Sequence, residues 1–346
     1  MNAPAFPPEL DYPFPTVPTA PATQALAPGV HWLRLALPWA LNHINLYLLD
    51  DGDGCTLVDT GLGDEASRAL WDTLLAQWPR PITRIVVTHF HPDHIGNAAW
   101  LSTRCKAPVV MTMGEYLLAH VVHAQLPGFD TPTMQAHFRE HGLDDERVEA
   151  QGARGNIYAR GVPELPAQYE RIVEGDVVRI DGHDWRVIVG TGHSPEHAAL
   201  ACESRGLLIS GDMLLPRIST NVNAPASTPH DDSVGRFLAS IRKFLPLPAD
   251  TLVLPSHGLP FRGIATRVAQ LEAHHAERDA QLLDVLEVPH TAADLLPVLF
   301  SRPLDRHQMM FALAEAIAHL NHLVATGRAR RLHDAGGVIR FQAIPP

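Results

Sequence analysis

The order of apolar and polar residues in the first part of the chain predicts alternating strands and helices. Short apolar runs predict strands at 30–37, 44–49, 55–58, 82–88 and 109–111. The turn at 51–54, with the sequence Asp-Gly-Asp-Gly, is typical of a β-hairpin and joins the second and third of these strands. Apolar residues at helical spacing predict helices at 64–78 and 96–105. Strands that alternate with helices indicate an α/β fold in which helices cover a sheet.

Residues 114–167 have mainly helical spacing with Gly and Pro breaks. An insertion of this length between strands usually forms a lid or a substrate wall, so we predict a helical lid. Strand patterns return at 172–173, 177–180, 185–189, 198–202, 207–210 and 251–254. A helix is predicted at 233–244, before the last of these strands. We therefore expect one α/β domain at 29–260 that contains the lid.

The two ends of the chain differ from this α/β region. Residues 1–28 are rich in Pro and Ala, which predicts an extended arm that runs over the surface or pairs with a second subunit in a homodimer. Beyond residue 260, helices are predicted at 264–286, 291–300 and 306–326. A turn at 334–337 joins two short strand patterns at 329–332 and 338–341. Helices followed by a two-stranded wing predict a winged-helix-like domain at 261–346.

The charge balance argues against a polyanionic partner. The 346 residues include 27 basic and 38 acidic residues, for a formal net charge of −11, and the two lysines are Lys106 and Lys243. Residues 260–346 contain nine Arg, no Lys and nine acidic residues, so the predicted winged-helix-like domain lacks the basic surface of a typical DNA-binding domain. This balance disfavours a nucleic-acid partner and binding to an anionic membrane.

Cysteine use and the N-terminal sequence predict a cytoplasmic protein. The three cysteines form no C-x-x-C pair, so neither a disulfide framework nor a thiolate zinc site is indicated. The first basic residue is Arg34, and no apolar segment before it resembles a signal peptide. No apolar run is long enough to span a bilayer. We therefore expect neither export nor insertion into a membrane.

The densest polar pattern is His89-Phe90-His91-Pro92-Asp93-His94, directly after the apolar run 85–87. Three imidazoles and a carboxylate within six residues are too crowded for packing residues, because each would need its own buried partner. They are therefore predicted metal ligands. The pattern follows a predicted strand, at the end where the loops of α/β folds converge on a crevice.

Four more strand ends carry residues of the same types. Asp59 follows the strand at 55–58, His193 lies in a Gly-containing turn, and Asp212 and His257 follow two later strands. Each alone would more often be a turn former or an ordinary histidine. Together they indicate five loops that meet at one site.

This ordered set of Asp, H-x-H-x-D-H, His, Asp and His resembles the metallo-β-lactamase superfamily over about residues 30–260. The helical tail resembles the winged-helix-like extension of one branch, which includes endoribonucleases. The resemblance implies an α/β fold, a four-layer αββα sandwich, that binds two divalent metal ions. It implies that one ion is bound by His89, His91 and His193, and the other by Asp93, His94 and His257. Asp212 would bridge the two ions.

The resemblance also implies the chemistry. Imidazoles and hard carboxylates suit Zn²⁺, with Fe or Mn as alternatives where carboxylates increase. Two such ions lower the pKa of a shared water toward ~7, so a metal-bridging hydroxide would be the nucleophile. Asp93, Asp212 and Asp59 are the predicted catalytic residues, and Asp59 would act by orienting a ligand imidazole through its free N–H. His197 is predicted to be a buried hydrogen-bonding residue rather than a ligand, and His43 to be structural or exposed.

The substrate is less defined than the reaction, because a metal site does not name what it hydrolyses. Tyr116 and other apolar residues of the predicted lid favour an acyl group. Arg217 and Asn221 could hold a carboxylate or phosphate, although Arg217 could equally brace its own loop. We expect a small-molecule thioester or ester, such as one carried on coenzyme A or glutathione. Two alternatives remain: a single-strand endoribonuclease of the tailed branch, and a regulatory nucleic-acid-binding protein with an inert metal fold.

Overall fold

The computed structural model describes residues 10–301 and 303–345, so residues 1–9 of the predicted arm lie outside the described chain. This part of the chain divides into two compact units. The first unit contains the chain up to His123, Ile157–Thr220 and Ile241–Val268. The second contains Ala124–Asn156, Asn221–Ser240 and the chain from Ala269 onward. Each unit is therefore assembled from segments that are distant in sequence, and the domain boundaries at 28 and 260 stay predictions.

Among the described residues, one sheet has seven strands that follow the order of the chain. They are β1 (Gln24–Ala27), β2 (Val30–Ala36), β3 (His43–Asp51), β4 (Gly54–Val58), β5 (Ile82–Val86), β6 (Val109–Met111) and β7 (Glu170–Arg171). Strands β1 to β4 pair antiparallel, whereas β4 to β7 pair parallel. In the parallel pair of β4 and β5, Val58 lies beside Val86. The loop after β4 therefore begins next to the loop after β5.

A second sheet has five strands within the described chain, in the spatial order β12, β11, β10, β9, β8. They are β8 (Val177–Ile180), β9 (His183–Gly190), β10 (His197–Cys202), β11 (Leu207–Gly211) and β12 (Leu252–Pro255). Strands β11 and β12 pair parallel, and the other neighbours pair antiparallel. His197 at the start of β10 lies beside Gly190 at the end of β9, so the connection between these two strands lies at the end of the sheet where β11 and β12 also end. This connection carries His193.

The two sheets of the first unit pack face to face around an apolar core. Residues of both sheets share this core: Trp32, Val58, Trp185, Leu200 and Leu254. A second apolar cluster joins the outer face of the seven-stranded sheet to the helix residues Trp71, Leu101 and Ala119. Along β3, Leu46 belongs to the outer cluster and Tyr47 to the inner one, because successive side chains of a strand point to opposite faces. Because apolar side chains cover both faces of this sheet, polar functional residues are expected in the loops at the ends of its strands.

The helices of the described chain are α1 (Glu65–Gln77), α2 (Pro92–Ile95), α3 (Ala98–Cys105), α4 (Met113–His123), α5 (Thr131–Glu140), α6 (Asp145–Gly152), α7 (Ile157–Gly161), α8 (Ser233–Arg242), α9 (Ile264–Leu283), α10 (Leu296–Leu299) and α11 (Arg306–Ala325). Helices α4 to α7 form most of the predicted lid segment, whose role as a lid stays a prediction. None of the described helices combines the length and the apolar character that a membrane span requires.

Two predicted helices differ from those observed. The predicted helix at 96–105 starts two residues later, and the short helix α2, which carries Asp93 and His94, was not predicted. The predicted helix at 291–300 is reduced to α10, because its first residues form a turn. In that turn, the Thr291 backbone N–H donates to the Asp294 carboxylate at 2.9 Å, and the Asp294 N–H donates to the Thr291 hydroxyl at 3.1 Å.

The second unit ends in helix α11 followed by a β-hairpin. A capping box at Asp305 begins α11, since the Asp305 side chain accepts from the Gln308 backbone while the Gln308 side chain accepts from the Asp305 backbone. Strands β13 (Ala329–His333) and β14 (Ile339–Ala343) then pair antiparallel. Helices followed by a two-stranded hairpin are the arrangement that the sequence predicts for this end of the chain.

Candidate metal centre

All seven predicted metal ligands lie in the first unit, at the ends of strands of the two sheets. His89 and His91 follow β5, and helix α2 adds Asp93 and His94. The second sheet supplies the three others from the connection before β10 and from the ends of β11 and β12: His193, Asp212 and His257. The structure brings these side chains together in two adjacent groups.

The first group contains His89, His91, His193 and Asp212, whose ligand atoms lie within 4.8 Å of one another. Nε2 of His89 lies 2.9 Å from Nδ1 of His91 and 3.2 Å from Nε2 of His193. Oδ2 of Asp212 lies 3.5 Å from Nε2 of His193 and 4.0 Å from Nε2 of His89. Three ring nitrogens and a carboxylate oxygen therefore face a common point, as the ligands of a four-coordinate metal do.

The second group contains Asp93, His94 and His257, all of them buried. Oδ2 of Asp93 lies 3.5 Å from Nε2 of His257 and 3.8 Å from Nε2 of His94. These separations are too long for strong hydrogen bonds and are those of ligand atoms arranged around a shared cation. The second group thus has the donor types of the first, with two imidazoles and one carboxylate of its own where the first has three imidazoles and one carboxylate.

Asp212 lies between the two groups. Its Oδ2 faces the first group, whereas its Oδ1 lies 3.4 Å from Nε2 of His257 and 3.6 Å from Nε2 of His94. Neither Oδ1 of Asp212 nor Nε2 of His94 has a hydrogen-bond partner among the described residues, although both atoms are buried. Buried polar atoms without partners are costly, and a cation between them would satisfy both. The residues present therefore fit divalent metal ions.

The pKa values of the imidazoles agree with this arrangement. Burial, reinforced by neighbouring imidazoles, holds the pKa of His89 and of His91 well below the usual range, so both rings are neutral and can offer a lone pair to a metal. Burial also lowers the pKa of His94, but the nearby carboxylates, that of Asp59 foremost, outweigh it and raise this pKa to about 10. The carboxylates around His94 therefore favour a positive charge at this point, which a metal ion would supply in place of the proton.

Asp59 holds the ring of His94 in place. Oδ2 of Asp59 lies 2.8 Å from Nδ1 of His94, so the ring donates from Nδ1 and presents Nε2 to the second group. Thr88 donates to Oδ1 of Asp59 from its backbone N–H at 2.8 Å. Asp59 adopts a φ of +60°, in the left-handed region that few residues other than Gly, Asn and Asp tolerate. These contacts place Asp59 behind the ring of His94, and its role in a metal site stays a prediction.

Strand β3 positions the loop that carries His257, a role that the sequence did not indicate. Nδ1 of His257 donates to the backbone carbonyl of His43 at 2.7 Å. The Asn45 side-chain amide donates to two carbonyls on either side of His257, at 2.8 and 3.1 Å, and the Tyr47 hydroxyl donates to the first of them at 2.8 Å. His43, which was expected to be structural or exposed, also accepts from the Gly258 backbone N–H at 2.8 Å through its Nε2, so both its main chain and its ring hold this loop.

Two hydrogen bonds hold the backbone of Asp212, and the glycine before it makes room for one of them. His197 is buried, and its Nε2 accepts from the Asp212 backbone N–H at 3.1 Å, as expected for a hydrogen-bonding residue that is not a ligand. The Thr220 hydroxyl donates to the Asp212 carbonyl. Gly211 has a φ of +54°, and a Cβ at this residue would lie 2.3 Å from the ring of His197. Only glycine therefore allows the His197 ring to reach the Asp212 amide.

The three predicted substrate-binding residues lie on different segments. The ring of Tyr116 on α4 stacks on Tyr169 with centroids 4.0 Å apart, and its hydroxyl donates to a backbone carbonyl at 3.1 Å. Arg217 lies on the segment after β11, where Arg267 donates to two main-chain carbonyls. Asn221 belongs to the second unit. Their roles in substrate binding stay predictions.

Comparisons with known proteins agree with this geometry. Residues 40–257 match the family described as Metallo-beta-lactamase superfamily, and residues 280–344 match the one described as Metallo-beta-lactamase-like, C-terminal domain. The crystal structure of a Beta-lactamase domain protein from Burkholderia ambifaria has a TM-score of 0.91 and 44% sequence identity, and the match covers 97% of this chain and 98% of that one.

Two curated relatives carry names that describe an activity. The Probable metallo-hydrolase YqjP of Bacillus subtilis is 27% identical over 303 residues, which cover 85% of this chain and 91% of that protein. An Atrochrysone carboxyl ACP thioesterase of Aspergillus fumigatus is 22% identical over 313 residues, which cover 86% of this chain and 82% of that protein. The predicted fold class, an αββα sandwich with a helical C-terminal domain, is confirmed by these matches, and so is the prediction of an enzyme. The chain belongs to the metallo-beta-lactamase superfamily and is a hydrolytic enzyme.

Proposed function

We propose that this protein is a dinuclear metal-dependent hydrolase whose substrate is a small acyl thioester or ester. The observation that carries the proposal is the position of the Asp212 carboxylate, which turns one oxygen to each of the two ligand groups. A carboxylate shared in this way is the usual bridge between two ions a few ångströms apart. With a single metal, one of the two buried groups would be left without a cation.

The residues have separate roles in this mechanism. The first ion would be held by His89, His91 and His193, and the second by Asp93, His94 and His257. Asp212 would set the distance between the ions. When bound, the ions supply an activated water at neutral pH and polarise the acyl carbonyl. Asp93 or the second ion would help the leaving group depart, and Asp59 would keep the ring of His94 oriented.

We propose Zn²⁺ as the metal in both positions. Five of the seven ligands are imidazoles, which suit zinc, and two are carboxylates. The second group, with Asp93 and the shared Asp212, has the higher carboxylate content and is where Fe or Mn would compete best. We therefore expect Fe or Mn to replace Zn²⁺ at the second position more readily than at the first.

An acyl thioester is supported by the relatives and by the charge of the chain. A thioesterase-named relative aligns over most of the chain, including the metal-binding region. The net charge of −11 and the small number of lysines, which is two, disfavour a phosphodiester polymer as the substrate, because such a polymer binds along a basic surface. A cytoplasmic location and a homodimer stay predictions beside this proposal.

The experiment measures metal content and substrate range on the same protein sample. Purified protein, analysed for bound metals, is tested on acyl-coenzyme A thioesters, aryl esters, lactones and single-stranded RNA. We expect metal-dependent hydrolysis of thioesters or esters and no cleavage of RNA. Cleavage of RNA, with binding that weakens steeply as salt rises, would instead support the endoribonuclease alternative.

Two variants test the role of Asp212 directly. Asp212→Ala removes the shared ligand, so we expect turnover to be abolished. Asp184→Ala removes an exposed carboxylate on β9 that pairs with Arg179 and should retain wild-type activity. Near-normal hydrolysis by Asp212→Ala, with its metal content verified, would contradict the dinuclear mechanism.

A further inference from the structure

Glu115 is a buried carboxylate beside the metal centre that belongs to neither ligand group. It lies in the first turn of α4 and has no exposed surface. Its contacts are three hydrogen-bond donors: the backbone N–H of Phe90 at 2.9 Å, the hydroxyl of Ser194 at 2.6 Å and the backbone N–H of Glu196 at 2.7 Å. Burying a carboxylate is costly, so its presence here needs an explanation beyond packing.

The three donors come from the two loops that carry the imidazoles of the first group. Phe90 lies between His89 and His91, and Ser194 directly follows His193. One loop follows β5 of the seven-stranded sheet, and the other joins β9 to β10 of the five-stranded sheet. Glu115 therefore links two loops that belong to different sheets.

Further contacts from helices α7 and α4 hold the same two loops. The Tyr158 hydroxyl donates to the Phe90 carbonyl at 2.7 Å, so the main chain of Phe90 is held at both its N–H and its carbonyl. In the opposite direction, the Glu196 carboxylate accepts from the backbone N–H of Gly114 at 2.7 Å. The loop after His193 and the start of α4 thus bind each other reciprocally.

The chemistry of the contacts requires an acceptor on both oxygens. Oε1 accepts from Ser194 and Glu196, and Oε2 accepts from Phe90. A glutamine could keep the two bonds to Oε1, but its amide would then direct a donor at the N–H of Phe90. Alanine would lose all three bonds and leave the buried donors without a partner.

We propose that Glu115 is a positioning residue that sets the separation of His193 from His89 and His91, and thereby the metal affinity of the first group. It contacts neither ligand atoms nor the reacting atoms. The proposal rests on the proposed function, because it requires that the first group binds an ion. Hydrogen-bonded residues behind metal ligands typically change metal affinity by about 10- to 100-fold when they are replaced.

The experiment titrates zinc into metal-free protein and records the absorption spectrum of the cobalt-substituted form for Glu115→Gln, Glu115→Ala and Ser194→Ala. We expect one of the two binding steps to weaken by about 10- to 100-fold in Glu115→Gln and more in Glu115→Ala, while the other step is unchanged. The cobalt bands of the weakened site should shift, and Ser194→Ala should show a smaller change of the same kind.

Asp279→Asn is the matched control, because Asp279 is a buried carboxylate of the second unit that binds His319 at 2.9 Å. It should lower the melting temperature without changing either binding step. Unchanged zinc affinities and cobalt bands in Glu115→Gln would overturn the proposal, as would a loss of both steps that follows the melting temperature. If the wild-type protein binds no metal, the proposed function fails instead, so the two failures are distinguishable.

Discussion

At the scale of single residues, a substitution of Asp59 can remove its carboxylate without adding backbone strain. Its φ of +60° is tolerated by Asn, so Asp59→Asn changes the group that orients His94 without new strain in the main chain. We expect the metal affinity of the second group to fall by about 10- to 100-fold, because the ring of His94 loses its anionic acceptor. Isothermal titration calorimetry with zinc measures the affinity of each binding step. If both zinc-binding steps of Asp59→Asn have the wild-type affinity, Asp59 does not orient His94 for metal binding.

Gly211 and Gly206 form a natural pair for a second test. Both have positive φ, +54° and +60°, but a Cβ at Gly211 would lie 2.3 Å from the His197 ring, whereas one at Gly206 meets nothing within 4 Å. Gly206→Ala should therefore cost only the strain of a left-handed alanine, ~1–2 kcal/mol. Gly211→Ala should cost a further ~1–3 kcal/mol from the clash and displace Asp212. Urea unfolding measures the stability, and equal losses for the two variants would contradict this account.

The residues that the sequence indicated at this scale are those with distinctive side chains in dense or ordered patterns. The seven predicted ligands lie in two adjacent groups because the four loops that carry them meet at the same end of the strands. Their supporting residues could not be found in the same way. His43 belongs to no motif, and it holds the His257 loop through its main-chain carbonyl and its ring. Glu115 is a lone carboxylate on a helix, which resembles any surface residue until its burial is known.

At the scale of elements, strand β3 is the support for the His257 loop. Asn45→Ala should cost ~1–3 kcal/mol in the free energy of unfolding, because two buried carbonyls each lose one donor and keep only the one from Tyr47 or Arg34. It should also weaken metal binding at the second group. Asn321→Ala is a matched control, since the Asn321 amide is also buried and donates to two carbonyls, at 2.9 and 3.3 Å, in the second unit. The control should lose similar stability but no metal affinity. An equal loss of metal affinity in both variants would mean that β3 has no specific role.

The elements themselves were predictable where their period is long and clear. The central strands and helices α1, α9 and α11 are found close to where the apolar pattern places them. Helix α2 has four residues, too few to show a period, although it carries two of the predicted ligands. Residues 291–295 have helical spacing, yet the structure forms a turn there before α10, although Thr291 and Asp294 exchange the reciprocal bonds of a capping box. Periodicity does not show where the helix begins.

At the scale of the whole molecule, the free energy of unfolding of the metal-free protein should vary with pH, and part of this variation should come from His94. Its pKa in the folded protein is raised from the ordinary 6.5 to about 10, so the contribution of this histidine is fully present below pH 6.5 and lost as pH rises toward 10. We expect the difference in free energy of unfolding between metal-free wild type and His94→Gln to shrink across this range. Urea titrations in the presence of a chelator measure it, and a difference that is constant or grows with pH would contradict the prediction.

The fold of the whole molecule followed from the order of its motifs more than from its composition. The five ordered strand-end motifs carried the resemblance, and the resemblance implied the two sheets of the αββα sandwich. In the parallel pairs β4 with β5 and β11 with β12, the strands end side by side and bring their loops together. The substrate does not follow in the same way. Metal ligands are specified by a few residue types, whereas substrate walls are built from ordinary apolar and polar residues of distant segments, such as those around Tyr116.

Anomalous X-ray diffraction from crystals of the metal-loaded protein would show whether seven side chains hold two ions with Asp212 between them. We expect two anomalous peaks on either side of the Asp212 carboxylate. One should lie about 2.0–2.2 Å from the ring nitrogens of the first group, and the other at a similar distance from the ligands of the second. A single peak, or two peaks that do not share Asp212, would contradict this arrangement.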